Sequence, residues 1–339
     1  MKTIIIFGAT GMIGAYAAVE LAKKYKIIAV GLRKNDKGFF NNYGIEYHSV
    51  DIMKKIDFDK LPKEGIYAVV HVAGAMPARM EGYDPHMFID SKIHGMLNIL
   101  EYMVKAKINR IIYGVNSNSP EYKLGKTPVP ANVQRTFPKN NDHSVYSICT
   151  NAAADIAEHF YYKYGIKRFL LSFGNIYHYH PNPYYYSNGK KRWVSNRLLM
   201  EYASRSMNIE IWGDPSREKE VVYIYDLIAA MQGAVESSFE GGLYNIGGVA
   251  PISLEKQIQD IIEVFSPKNK PSNIIYASDK PSGLEYAEDI TKTQNELGYM
   301  PQWDHLRFLH DIKKKMETSH FSQLWGTFKD YEDESLAIK

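Results

Sequence analysis

Three glycines in the first fifteen residues carry the clearest chemical signal in the chain. Ile4-Ile5-Ile6-Phe7 runs into Gly8, and Gly11 and Gly14 follow at steps of three. An apolar run, a glycine turn and a helical pattern in that order read as a strand–loop–helix that cradles linked phosphates. Gly8 allows the tight turn, Gly11 lets the backbone approach a pyrophosphate, and Gly14 lets the helix pack closely on the strand. Thr10, Met12 and Ile13 line the same turn, where free amides at the helix start face negative charge. A bound dinucleotide is the reading this order implies; a plain glycine turn is the alternative.

The next strand ends Val30-Gly31-Leu32-Arg33-Lys34, and the first acid after it is Asp36. A cofactor with a free ribose 2′-hydroxyl usually meets an acid near this point. Arg33 or Lys34 would instead suit a 2′-phosphate through charge-assisted bonds, although either can be a plain surface residue. NADP or NAD is therefore expected, with the charge favouring NADP. Asp51, followed by Ile52, stands where it would meet the adenine amino group or cap the next turn.

These residues need a scaffold, and the first half of the chain supplies one. Short apolar runs at Thr3–Phe7, Lys26–Gly31, Tyr67–Val72, Arg110–Val115 and Arg168–Phe173 alternate with helical patterns at Gly14–Tyr25, Pro85–Ala106 and Tyr146–Tyr164. None of the runs alternates with polar residues, so both faces of the sheet should be buried. The fold class expected is α/β, a Rossmann-type doubly wound parallel sheet with a smaller α/β substrate lobe. Residues 1–174 form the dinucleotide-binding domain, with returns near 213–248. Residues 175–212 and 249–315 form the substrate lobe, and 316–339 a C-terminal extension whose polar end, from Lys329, reads as loosely held. The tyrosine-rich stretch from Tyr177 to Tyr186 reads as an ordered loop that either stacks on a ligand or packs on the seam between lobes.

Composition narrows the function classes. The 339 residues carry 41 Lys and Arg against 38 Asp and Glu, too even a balance for a nucleic-acid partner. One cysteine, Cys149, rules out an intrachain disulfide and a cysteine-cluster metal site, and no His and carboxylate spacing suggests a metal. No apolar run reaches membrane-spanning length and no signal sequence is visible, so a cytoplasmic protein is expected.

The motifs taken together resemble the extended short-chain dehydrogenase/reductase family, the NAD-dependent epimerase/dehydratases. Gly8 to Gly14 carries the family's GxxGxxG, and His71-Val72-Ala73-Gly74 is similar to its HLAA segment, where Ala73 and Gly74 line the cofactor. Asn175-Ile176-Tyr177 resembles the NxYG segment, with His178 in place of the glycine. Gly213-Asp214, Tyr223-Ile224-Tyr225-Asp226, Tyr244-Asn245-Ile246-Gly247 and Leu297-Gly298-Tyr299-Met300-Pro301 resemble later signatures in the right order. The resemblance implies hydride transfer on a nucleotide sugar bound between the lobes, and a homodimer. It also implies an acid–base tyrosine, a lysine four residues later, and a Ser or Thr that holds the substrate oxygen.

The chain departs from that set. Tyr146 fits the tyrosine, but the lysine position holds Thr150. Asn116 stands where the Ser or Thr belongs, with Ser117 beside it, and Lys92 replaces an asparagine three residues ahead of Gly95. A phenol needs a nearby cation to ionise near neutral pH. Either Lys92 reaches into the space of the missing lysine and supports Tyr146, or Lys92 faces solvent and the hydride chemistry is gone. In the second case the protein binds a dinucleotide for a structural or sensing role. His71, His143 and His178 are spare acid–base groups, and Glu121 is a further acid. Lys219, Arg192 and Arg197 are candidate ligands for a substrate diphosphate.

Overall fold

The computed structural model describes residues 1–115, 128–133, 139–141, 143–283, 285 and 287–338. Seven parallel strands form the central sheet: β1 (Thr3–Phe7), β2 (Lys26–Gly31), β3 (Glu46–Ser49), β4 (Ala68–His71), β5 (Arg110–Val115), β6 (Lys167–Ser172) and β7 (Gly241–Asn245). Their order across the sheet is β7-β6-β5-β4-β1-β2-β3, so the chain winds outward from β1 in both directions. Ligands bind at such a reversal, beyond the carboxyl ends of the strands.

The unbroken apolar runs are explained by burial on both faces. Ile4 and Ile6 enter one hydrophobic cluster and Ile5 and Phe7 the other, all four fully buried. The period of two along the strand is present, but each face meets a helical layer, so no polar residue marks it. This is the Rossmann-type α/β fold expected from the sequence.

Beyond β6 the chain crosses to a smaller body. Ile176–Tyr177 pairs in parallel with Val222–Tyr223, and Ile209–Trp212 with Ile274–Ala277. Helices Ser195–Ser204, Leu254–Phe265 and His305–Glu317 accompany them. The tyrosine-rich loop differs in part from expectation. Tyr184–Ser187 and Lys190–Trp193 form an antiparallel hairpin turned by Asn188 and Gly189, both at positive φ. An Asn-Gly pair is the standard short hairpin turn, and here neighbouring tyrosines obscure it.

Two other expectations change. The single helix expected from Pro85 to Ala106 is a short helix (Pro85–Phe88), one π turn (Ile89–His94) and then Gly95–Lys105. The Ser91 hydroxyl donates to the Met87 carbonyl and accepts from the Ala75 amide, which diverts the regular ladder at this point. The C-terminal end is docked, not loose. Lys191 pairs with Asp333 at 2.8 Å, the Trp193 indole donates to the Leu336 carbonyl, and Arg205 donates to the Ile338 carbonyl.

Candidate active site

The glycine turn lies at the carboxyl end of β1. Gly8 sits at φ +89°, and its amide and that of Ala9 donate to the Val30 carbonyl at 2.8 and 2.9 Å. A Cβ on Gly8 would fall 2.7 Å from the Ala73 nitrogen, and one on Gly14 only 2.1 Å from the Gly8 carbonyl oxygen. The first helix (Met12–Leu21) begins at Gly11 without a side-chain cap and without an acid in its first turn. Uncapped amides and bare backbone are what a diphosphate requires, so this turn fits the dinucleotide. Gly14→Ala is expected to cost about 1–3 kcal/mol, the scale of an overpacked core. Calorimetry should show weaker dinucleotide binding together with a lower Tm.

The adenosine end is built differently from expectation. The Arg33 guanidinium donates to the Leu324 carbonyl, and the Tyr47 hydroxyl donates to the Arg33 carbonyl. Arg33 is exposed and spends one guanidinium nitrogen on the C-terminal segment. That segment also reaches the glycine turn, where the Trp325 indole N–H donates to the Thr10 carbonyl at 3.1 Å. Asp51 takes the second of its two expected roles. It accepts from the Met53 amide at 3.0 Å and lies 3.6 Å from the Lys54 amine. Its neighbour Ile52 packs against Gly95, and its carbonyl accepts from Asn98 at 2.9 Å.

Lys92 is the residue on which the two readings divide. It lies in the π turn, is only 6% exposed, and points inward. Its Nζ stands 5.2 Å from the centroid of the Tyr146 ring and 3.5 Å from the Ala73 carbonyl oxygen. Gly74, at φ +125°, leaves room for the chain, since a Cβ there would meet Lys92 Cε at 2.8 Å. The solvent-facing reading of Lys92 is thus wrong. No carboxylate pairs with it among the described residues, and burial pushes its pKa down to about 8.

Tyr146 enters from the first turn of helix Ser144–Tyr164, half-buried and edge-on to Phe88 at 6.0 Å. Burial raises its pKa, and the hydroxyl of Thr150, one turn on, opposes that rise. Thr150 is 1% exposed, and its hydroxyl makes no well-aligned hydrogen bond among the described residues. The lysine position thus holds a small buried hydroxyl, and the nearby amine arrives from another helix.

The spare histidines do not serve as expected. His71 is fully buried and stacked on Tyr113 at 5.1 Å, and burial drives its pKa down to about 3. His178 is bonded through Nδ1 to the Ile176 carbonyl, with its pKa held down at about 4, again chiefly by burial. Both rings stay neutral near pH 7, which corrects their reading as near-neutral acids or bases. His143 is exposed, 6.4 Å from the Tyr146 ring. Asn175 is an exposed residue between β6 and Ile176–Tyr177. Asn116, Ser117 and Glu121 lie outside the described residues. The glycine turn, Ala73, Gly74, Lys92, Tyr146 and Thr150 form one continuous neighbourhood, whereas Arg33 and Asp51 are engaged elsewhere. Sequence reasoning missed Trp325 and Leu324, for which no local pattern gives a signal. No cluster of His, Cys, Asp and Glu able to hold a metal occurs among the described residues, and no described helix is long and apolar enough to cross a membrane.

Comparison with known proteins agrees with the architecture. The chain is 22% identical to UDP-glucuronate 4-epimerase 5 of Arabidopsis thaliana, covering 89% of this chain and 72% of that one. Among solved structures it resembles the UDP-glucose 4-epimerase of Thermotoga maritima, with a TM-score of 0.74 and 19% identity over 94% of this chain and 99% of that one. It also resembles the UDP-glucuronic acid 4-epimerase of Bacillus cereus, solved with NAD, at a TM-score of 0.69 and 18% identity over 93% and 99% of the two chains. At these identities the structural likeness speaks for the fold. The family profile goes further, because it matches residues 4–247: the chain belongs to the NAD-dependent epimerase/dehydratase family.

Proposed function

We propose that this protein binds a nicotinamide dinucleotide in the glycine turn and transfers hydride between it and the sugar of a nucleotide sugar. When bound, the nicotinamide supplies a hydride acceptor that can return what it takes. Tyr146 acts as the phenolate, which the Lys92 ammonium stabilises in place of the family's lysine, and it becomes the neutral phenol on receiving the proton from the substrate hydroxyl. The Thr150 hydroxyl supports the same oxygen. Asn116, or Ser117 beside it, would bind the substrate oxygen, with an amide donor in the first case and a hydroxyl in the second. The observation that carries this reading is the Lys92 amine, 5.2 Å from the Tyr146 ring in a site with no competing carboxylate among the described residues.

NAD is the cofactor we expect, because Arg33 already donates to Leu324. The names of the relatives support a UDP-sugar substrate. A homodimer would use helices Gly95–Lys105 and Ser144–Tyr164, which leave Leu97, Val104, Ile148 and Tyr162 exposed.

A reciprocal exchange tests the relocated cation. Lys92→Asn should lose turnover of UDP-glucose or UDP-glucuronate, and Lys92→Asn combined with Thr150→Lys should regain a measurable part of it. Dinucleotide retained without turnover of any nucleotide sugar by the wild type would assign the protein to a structural or sensing role instead.

A further inference from the structure

Arg197 stands on the first turn of helix Ser195–Ser204 and is 6% exposed, yet two of its three guanidinium nitrogens, Nε and one Nη, have no hydrogen-bond partner among the described residues. Nor does a carboxylate of those residues lie within ion-pair distance of it. Its guanidinium faces the ring of Tyr179, 5.7 Å from the centroid, and the charge of Glu201, one turn on in the same helix, acts on it from beyond ion-pair distance. A buried guanidinium left unpaired is costly, and such a charge persists where something anionic completes it.

The surroundings indicate what that is. Tyr179 is tied to the first helix, since the Tyr16 hydroxyl donates to the Tyr179 carbonyl at 3.0 Å. The neighbouring His178 places Nε2 3.2 Å from the sulfur of Met12, the first residue of that helix. At the open rim, Arg79 sets one Nη 2.8 Å from the same sulfur and donates through the other to the Tyr184 carbonyl. The charges of Arg79 and Arg197 both act on the His178 ring. One guanidinium is buried and one is at the rim; Arg79 touches the first residue of an uncapped helix, and Arg197 acts on the His178 ring that touches the same residue.

We infer that Arg197 and Arg79 form a clamp for a diphosphate ester, closing on it across from the amides of the glycine turn. The inference rests on the proposed function and adds two residues to it. The nearness of Met12 favours the cofactor's diphosphate as the occupant. A substrate diphosphate has the same chemistry and is separated from it by experiment.

Calorimetric titration of the wild type, Arg197→Met and Arg197→Lys with NAD⁺ and, separately, with UDP-glucose provides the test. Losing one partner of a buried charge pair should raise the NAD⁺ dissociation constant about thirtyfold or more in Arg197→Met, with partial recovery in Arg197→Lys and unchanged UDP-glucose affinity. The ligand-free Arg197→Met protein should melt at or above the wild-type temperature, because an unpaired charge has been removed. A loss confined to UDP-glucose keeps the clamp and assigns it to the substrate. Unchanged affinity for both ligands overturns the clamp and leaves the proposed function standing. An Arg197→Met chain that fails to fold assigns the guanidinium to the fold and also overturns it. A wild type that binds neither ligand removes both the clamp and the proposed function.

Discussion

Lys92→Met should lower turnover by about a hundredfold or more, the scale of losing an electrostatic partner at the reacting proton, while making the protein more stable. The two effects have one cause. Lys92 is buried without an anion among the described residues, and burial moves its pKa from 10.5 down to about 8. That displacement corresponds to about 3 kcal/mol of penalty for holding the charged form in the fold. Methionine fills a similar volume without it.

The sign of the pH dependence follows. The unfolded chain holds its Lys92 proton up to about pH 10.5, whereas the folded protein releases it near 8. Between those values the unfolded state binds more protons, so stability rises with pH. The penalty is complete below pH 8 and absent above 10.5. Melting temperatures of Lys92→Met and wild type should accordingly differ most at pH 7 and converge toward pH 10.5. Activity runs the other way. The ammonium that supports Tyr146 is lost as pH passes 8, so wild-type kcat should fall on an alkaline limb near that value. Lys92→Arg, which keeps its charge, should lack that limb whatever its absolute rate. A wild-type kcat that stays flat from pH 7 to 10, or a Lys92→Met enzyme of normal rate, would remove Lys92 from the reaction.

How much of this was legible in the sequence depends on how local each cause is. The glycine turn and the strands were readable because each rests on neighbours within a few residues: a glycine where a Cβ would strike backbone, or an apolar run buried on both faces. The loss of the family's lysine was equally visible, as Thr150 four residues after Tyr146. That Lys92 points inward was not. It depends on the π turn, which Ser91 stabilises through partners four residues before it and sixteen before it, Met87 and Ala75. The engagement of Arg33 was also hidden, because its partner lies 291 residues away and is a backbone carbonyl with no residue-type signature. The histidines were misjudged for a related reason. Their charge state is set by burial, which the sequence does not state.

That distant partner leads to the second large effect. Residues Phe321 to Trp325 lie against the cofactor domain: Trp325 is 4% exposed, Leu324 1% and Phe321 7%. Their rings meet Tyr16 of the first helix at 5.0 Å (Phe321) and 5.8 Å (Trp325), and Phe321 meets Phe39 at 4.9 Å. A few residues on, Asp333 and Leu336 hold the smaller body through Lys191 and Trp193. The segment therefore fastens the two bodies together beside the glycine turn. Trp325→Ala should cost about 3–5 kcal/mol, the usual range for deleting a buried indole. It also removes the N–H that holds the Thr10 carbonyl, so the turn loses a fixed point next to the dinucleotide. Ending the chain after Ser319 removes the contacts of Phe321, Leu324, Trp325, Asp333 and Leu336 and frees Arg33. Dissociation of NADH, followed by its fluorescence, should then quicken by about tenfold or more, as expected when a binding element loses its preorganisation. The preference for NAD over NADP should narrow as well, because the freed guanidinium becomes available to a 2′-phosphate. If the truncated protein melts earlier but releases NADH and discriminates NADP as before, the segment is a staple for the fold and has no part in holding the cofactor.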